Sequence, residues 1–212
     1  MRDSSYYFGL TGGVASGKTT AAGMFQELGA AIIDADRIGH ELLRAPLPPY
    51  QEIVRRFGRE ILAASGEIDR RRLGAKVFAD AGSVRELNAI LHPRIIERVE
   101  QLAAQYHAQN PRAVILVDAA LIYEAGIGAR FKKMVVAWCR PEQQIDRLML
   151  KTGLSREEAE RRLAAQMPAE EKRRRADYVI DCSGSLENTR RQVEALYPQL
   201  RRLVEGTKDT VG

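Results

Sequence analysis

Gly12-Gly13-Val14-Ala15-Ser16-Gly17-Lys18-Thr19 satisfies G-x-x-x-x-G-K-[ST], the pattern of a phosphate-binding loop. Before it, Tyr6-Tyr7-Phe8-Gly9-Leu10 is apolar and aromatic and predicts a buried strand. After it, residues 19–28 carry Ala22, Met24, Phe25 and Leu28, and Gly29 closes a predicted helix. Glycines let backbone N–H groups crowd around phosphate oxygens with no Cβ in the way. The helix behind the loop turns its positive end on the same oxygens. Lys18 supplies a point charge for the β- and γ-phosphates, and the Thr19 hydroxyl is placed to ligate Mg²⁺. The stretch reads as a nucleoside triphosphate site.

A chain of 212 residues suits one α/β domain with an insertion and is long enough for a good core. A hydrophobic share of 45% and a charged share of 29% are those of a soluble globular protein. No stretch approaches the roughly 18 to 20 apolar residues of a membrane span. Met1-Arg2-Asp3-Ser4-Ser5 runs straight into the first strand, so no export signal is expected. Cys139 and Cys182 are too few and too unpatterned for a disulfide framework or a zinc site, so a reducing cytoplasm is expected. The net charge of +5 admits nucleic acid or a small polyanion as partner. Basic residues are scattered among acidic ones and aromatics make up only 6%, which argues against a stacking platform for single strands. A small polyanionic substrate is favoured.

Ala30-Ala31-Ile32-Ile33-Asp34 predicts a second strand, followed by Ala35-Asp36. Ligands of open parallel sheets sit beyond the carboxyl ends of strands, so Asp34 and Asp36 fall where a γ-phosphate is delivered. Asp36 is the expected base for an acceptor hydroxyl, with Asp34 helping at the metal or in the loop. The alternative is that Asp36 merely N-caps a helix over 37–43. From about residue 37 to Pro111 helical periodicity replaces strand patterning, which predicts an all-helical, substrate-holding insertion. It is broken at Ala45-Pro46-Leu47-Pro48-Pro49 and turned at Ala64-Ser65-Gly66-Glu67. Ile53, Val54, Phe57 and Ile61 form one apolar face, and Leu73, Val77 and Phe78 another. A helix over 84–91 stops at His92-Pro93, and a long one follows over 94–105. Arg70-Arg71-Arg72 reads as a solvated face, whereas His92 fits function and packing equally.

Ala113-Val114-Ile115-Leu116-Val117-Asp118 predicts a buried strand ending in a carboxylate, which either holds Mg²⁺ or caps a turn. Residues 134–138 and 178–181 predict two more strands, and 186–203 a C-terminal helix, with the chain frayed from Gly206. Between those strands Pro141 opens a helix that Gly153 closes, and Arg140, Arg147 and Lys151 share one face. Ser155-Arg156-Glu157-Glu158 is a capping box for a second helix that carries Arg161, Arg162 and Gln166 and ends near Pro168. The pair reads as a basic lid over phosphates, or else as an exposed hairpin with ordinary ion pairs, the reading preferred for Arg173, Arg174 and Arg175.

Taken together, these motifs resemble the dephospho-CoA kinase family over nearly the whole chain. The resemblance rests on the phosphate loop, Ile33-Asp34-Ala35-Asp36, Asp69-Arg70 with Leu73, Leu91-His92-Pro93, and residues 121–124. It continues through Gly153-Leu154-Ser155, Gln166-Met167-Pro168, Glu171-Lys172, Ala176-Asp177 and Val179-Ile180-Asp181. It implies an α/β phosphate-loop fold with a five-stranded parallel sheet as nucleotide-binding core (1–36, 112–139, 177–212), a helical acceptor domain (37–111) and a lid (140–176). It also implies transfer of the ATP γ-phosphoryl to the ribose 3′-hydroxyl of dephospho-CoA, with Mg²⁺, in a monomer without nucleic acid or membrane. The roles implied for catalysis fall on Asp36, Lys18, Arg147 and Lys151, and those for nucleotide binding on Gly13, Val14, Ala15, Ser16, Gly17, Lys18, Thr19 and Thr20. Acceptor contacts fall on Thr11, Asp36, His40, Leu73, His92, Arg94, Leu121 and Glu124, and the metal on Thr19 and Asp118.

Three positions depart from the family pattern. Ala120 replaces a proline, which leaves the loop backbone less fixed. Lys151 replaces an arginine, keeping the charge and losing the bidentate fork, so the grip passes partly to Arg147. Cys182 replaces an asparagine, which bears on an adenine-side hydrogen bond. Another small-molecule kinase is the neighbouring reading. A nucleotide switch or nucleic-acid-associated ATPase is the more distant one, and the guanine-reading Asn-Lys-x-Asp is absent.

Overall fold

A computed structural model describes residues 6–77 and 80–206, with the side chain of Ala81 left aside. Phe78, the N-terminal five residues and the expected frayed end beyond Gly206 lie outside the described residues. The chain divides into two compact units, Met1–Asp34 with Ala103–Gly212, and Ala35–Leu102.

The first unit is built on five parallel strands: β1 (Tyr7–Thr11), β2 (Ala31–Asp34), β3 (Ile115–Asp118), β4 (Met134–Trp138) and β5 (Tyr178–Asp181), in the order β2-β3-β1-β4-β5. Strands covered on both faces read as unbroken apolar runs, and the Ile-Leu-Val run of β3 and the Met-Val-Val-Ala-Trp run of β4 are buried throughout. The register sets Asp34 opposite Asp118 and Trp138 opposite Asp181, so strand-end carboxylates line one edge. Asp177 clips β4 to the start of β5, accepting from the Met134 amide at 2.8 Å and the Lys133 ammonium at 2.8 Å.

Helix α1 (Lys18–Glu27) turns Ala21, Ala22 and Phe25 onto the sheet. Helix α9 (Leu186–Glu205) adds Val193, Leu196 and Leu200 to the same core, and Ser185 caps it by accepting from the Asn188 amide. Gly29, at φ 97°, supplies the left-handed turn that releases the chain from α1 into β2.

Between β4 and β5 come α6 (Pro141–Thr152), α7 (Arg156–Ala164) and α8 (Ala169–Arg175). The capping box at Ser155 and Glu158 forms as the sequence predicts. The second lid helix, expected to end near Pro168, stops at Ala164, where the chain turns, the Gln166 amide donating to the Leu163 carbonyl, before α8 begins at Ala169. Arg174 and Arg175 both bridge Glu171 on α8, and Arg173 bridges Glu170 at 3.8 Å, the ordinary helix pairs expected for that run.

The second unit is helical: α2 (Ala35–Leu42), α3 (Pro48–Phe57), α4 (Arg70–Val77) and the first part of α5 (Ala81–Gln109). Ile53, Phe57, Ile61, Leu73 and Val77 form its core, and the turn at Gly66 closes between Leu62 and Ile68. Two sequence expectations change here. Helix α2 begins directly at the end of β2, so Asp36 lies inside its first turn and is not its N-cap. The two helices expected on either side of His92-Pro93 are one helix, α5, with Pro93 inside it. Arg94 stabilises that passage by donating its Nη1 to the Ile90 carbonyl at 2.6 Å, one of the groups near a proline that lacks an N–H. Arg70, Arg71 and Arg72 are exposed as expected, with Asp69 capping α4 beneath them. No helix among the described residues is long and apolar enough to cross a membrane.

Phe25 is fully buried at the centre of the first unit. Replacing it with alanine is expected to cost about 3–5 kcal/mol, read as a lowered urea midpoint with an unchanged slope.

Candidate active site

The phosphate loop leaves β1 at Thr11 and enters α1 at Lys18. Two of its residues are left-handed: Gly17 at φ 103° and Ala15 at φ 56°, the latter a conformation that costs a residue with a Cβ about 1 kcal/mol or more. Such strain is kept where it turns successive amides toward one point. The N-terminus of α1 has no side-chain cap and no acidic residue in its first turn, unlike α7 and α9, which carry serine caps. Its amides are therefore left for an anion. A Cβ on Gly17 would sit 2.8 Å from the Cβ of Cys182, and one on Gly12 would sit 2.5 Å from the Ala137 carbonyl oxygen. The loop is pressed onto the sheet at both glycines.

Lys18 forms an ion pair with Asp118, which joins the first residue of α1 to the last residue of β3. Thr19 and Thr20 follow, exposed on the first turn. The Ser16 hydroxyl is buried in the loop without a hydrogen-bond partner. The hard oxygens of Thr19 and Asp118 beside a phosphate-type loop are donors that fit Mg²⁺, an ion that completes its shell with water and phosphate oxygen.

Val14 is held from both sides. Its amide donates to Gln166 Oε1 at 2.9 Å, and its carbonyl accepts from Gln144 Nε2 at 2.8 Å. Gln144 is buried on α6, and a Cβ on Gly13 would collide with it at 2.4 Å. Arg147, also on α6, donates to the Cys182 carbonyl at 2.8 Å, whereas Lys151 in the last turn is exposed. Cys139 reaches the Ala15 carbonyl at 4.0 Å. Burial pushes the Cys182 thiol up to about 11 and raises that of Cys139 as well, so both stay protonated thiols near neutrality.

After Asp118 the chain passes Ala120, whose carbonyl accepts from the Thr11 hydroxyl at 3.2 Å and from Lys172 Nζ at 2.7 Å. These two bonds hold the backbone where the expected proline is missing. Leu121 is exposed. Glu124 pairs with Lys172 at 2.9 Å and accepts from the Met167 amide at 2.9 Å.

The remaining predicted residues stand in the second unit. Asp36 and His40 are exposed in the first and last turns of α2, while Leu73 is buried in that unit's core. Arg94 pairs with Glu52 at 2.6 Å and borders a cavity of about 370 Å³ with Ile38, Leu47, Pro49 and Arg98. His92 is half-buried, and desolvation lowers its pKa below the usual histidine value.

Gln144, Gln166 and Lys172 were not singled out as site residues by sequence reading. Their partners lie far away along the chain, a separation that helical periodicity does not reveal. The available signal was that Gln166 and Lys172 sit in two of the motifs shared with the family.

The profile of one family, dephospho-CoA kinase, matches residues 6–188. A dephospho-CoA kinase of Symbiobacterium thermophilum is 47% identical over 189 residues, 89% of this chain and 79% of that protein. One from Bacillus licheniformis is 43% identical over 89% of this chain and 93% of its own. Among solved structures, a dephospho-CoA kinase from Campylobacter jejuni superposes with a TM-score of 0.59 at 26% identity, covering 92% of this chain and 97% of its own.

Replacing Gly17 with alanine is expected to weaken ATP binding at least tenfold in calorimetry, because a left-handed residue with a Cβ is strained and meets Cys182. A second expectation concerns pH. An imidazole whose pKa is lowered in the fold takes up less proton than in the unfolded chain, so its contribution is present above about 6.5 and lost as pH falls below it. His92→Gln is expected to reduce the loss of urea midpoint between pH 7.5 and pH 5.

Proposed function

The chain belongs to the dephospho-CoA kinase family, and on that premise we propose how its own residues divide the work. It phosphorylates dephospho-CoA with ATP, the step that completes coenzyme A. The observation that carries the reading is the loop over residues 12–19, strained at Ala15 and Gly17 and uncapped at α1, in a chain that matches this family over 6–188.

The loop from Gly13 to Thr20, through the amides that Gln166 and the loop itself do not occupy, and the Lys18 ammonium bind the triphosphate and hold the charge that spreads over the γ-phosphoryl oxygens. Thr19 and Asp118 are the side chains for Mg²⁺, which when bound neutralises charge on the β- and γ-phosphates. Asp36 orients the ribose 3′-hydroxyl and accepts its proton as the new O–P bond forms. Asp36, His40, His92 and Arg94 serve the acceptor, with Leu73 packed in the core of their unit, and Thr11, Leu121 and Glu124 are the acceptor contacts assigned to the first unit. Arg147 and Lys151 bring positive charge from the lid, and closure over the phosphates keeps water from taking the phosphoryl group. The three-part division into core, acceptor domain and lid follows these roles. The enzyme works as a cytoplasmic monomer on a small polyanion, without nucleic acid or membrane; its two buried free cysteines suit a reducing compartment.

Incubation with Mg-ATP and dephospho-CoA is expected to yield ADP and a product carrying the new phosphate on the 3′-oxygen, located by mass and ³¹P NMR. Lys18→Ala and Asp36→Asn are each expected to lower turnover by about two orders of magnitude or more with folding intact. Near-normal turnover of Asp36→Asn would remove it from the role of base.

A further inference from the structure

Lys172 is fully buried, yet it is a lysine, and it faces the sheet edge and not solvent. A purely packing role there would be met at lower cost by methionine, because a buried ammonium must recover its lost hydration from partners. The partners are specific. Lys172 Nζ donates to the Ala120 carbonyl at 2.7 Å and pairs with Glu124 at 2.9 Å. Glu124 in turn accepts from the Met167 amide at 2.9 Å. Met167 follows Gln166, whose Oε1 accepts from the Val14 amide of the phosphate loop at 2.9 Å. The Ala120 carbonyl is also held by the hydroxyl of Thr11, the residue from which that loop departs. Ala120 lies two residues past Asp118, the partner of Lys18. One buried cation thus ties together three segments: the connection at the base of the lid, the loop after β3, and the phosphate loop.

We infer that Lys172 is a positioning residue of the phosphoryl transfer. Through Glu124 and Ala120 it fastens Gln166-Met167 at the foot of the lid, and through Gln166 it fixes Val14 in the phosphate loop. It touches no substrate. Its effect is on where the loop and the lid stand when the phosphoryl group moves, a step in which a displacement of about 1 Å costs roughly a hundredfold in rate. The inference rests on the kinase reading above, and it predicts a split between binding and turnover. Nucleotide affinity is spread over several loop amides and Lys18, so loosening Val14 alone costs little of it. Turnover depends on alignment, which that loosening disturbs.

The test compares Lys172→Met, which keeps the volume and removes the ammonium, with Gln166→Ala, which leaves Lys172 untouched and removes the acceptor of the Val14 amide. Both are expected to bind Mg-ATP within about threefold of the parent while kcat falls at least tenfold. The double variant is expected to lose no more than the worse single one, since both cut the same path. Independently of any substrate, hydrogen exchange at the Val14 amide is expected to quicken in both variants, and at the Met167 amide in Lys172→Met, with β4 and β5 amides unchanged. Faster exchange throughout the sheet would make Lys172 a stability residue only and overturn the inference. So would unchanged Val14 exchange in Lys172→Met, or a kcat equal to the parent's. Should Lys172→Met fail to fold, Gln166→Ala decides by the same two readouts. Failure of the parent itself to turn over dephospho-CoA would count against the kinase reading and leave the exchange result to judge the fastening alone.

Discussion

The ion pair between Lys18 and Asp118 ties the helix behind the phosphate loop to the end of the neighbouring strand. Much of the first unit makes that meeting possible. Parallel pairing of β1 with β3 places their carboxyl ends side by side, with Leu10 opposite Asp118. The loop must then rise from β1, reverse over the sheet edge and start a helix within a few residues. That demands left-handed backbone at Gly17 and an approach to Cys182 too close for any Cβ. The charge pair and the tight turn are two views of one constraint. A cation has to be delivered to a strand edge by the shortest route the backbone allows.

Around this turn the polar side chains form a frame. Val14 is gripped at both its amide and its carbonyl by glutamines of the lid region, and Arg147 holds the carbonyl of Cys182 on the far strand. Hydrogen bonds to backbone from buried side chains fix geometry more than they add net stability, since each replaces one to water. Their value lies in pre-organisation, because a loop already shaped for a phosphate spends little binding energy on being ordered.

Much of this was legible in the amino-acid sequence, and the limits are physical. Apolar runs mark all five strands to within two residues, most cleanly in β1, β3 and β4, which are buried throughout. Gly17 and Lys18 are fixed by the chemistry of phosphate, so their pattern is readable locally. His92-Pro93 misled, since proline removes one helical N–H but does not forbid a helical path, and Arg94 adds a side-chain bond to the Ile90 carbonyl in the turn before it. The alternative of Asp36 as a cap assumed a helix from 37, but the helix begins two residues earlier, directly from the strand. Leu73 stood in a family motif, and its burial shows how a shared motif mixes core residues with contact residues. Gln144 gave no local sign at all, since nothing in a helical repeat tells a buried glutamine from a solvated one.

Trp138 is the chain's single tryptophan, the last residue of β4, and the Arg173 guanidinium lies over its ring at 4.3 Å. The indole therefore stands at the junction where the sheet hands the chain to the lid, with a cation from α8 against its face. Any shift of α8 relative to β4 moves a full positive charge across the only indole in the molecule. The protein carries its own optical gauge of that joint, readable without attaching a dye.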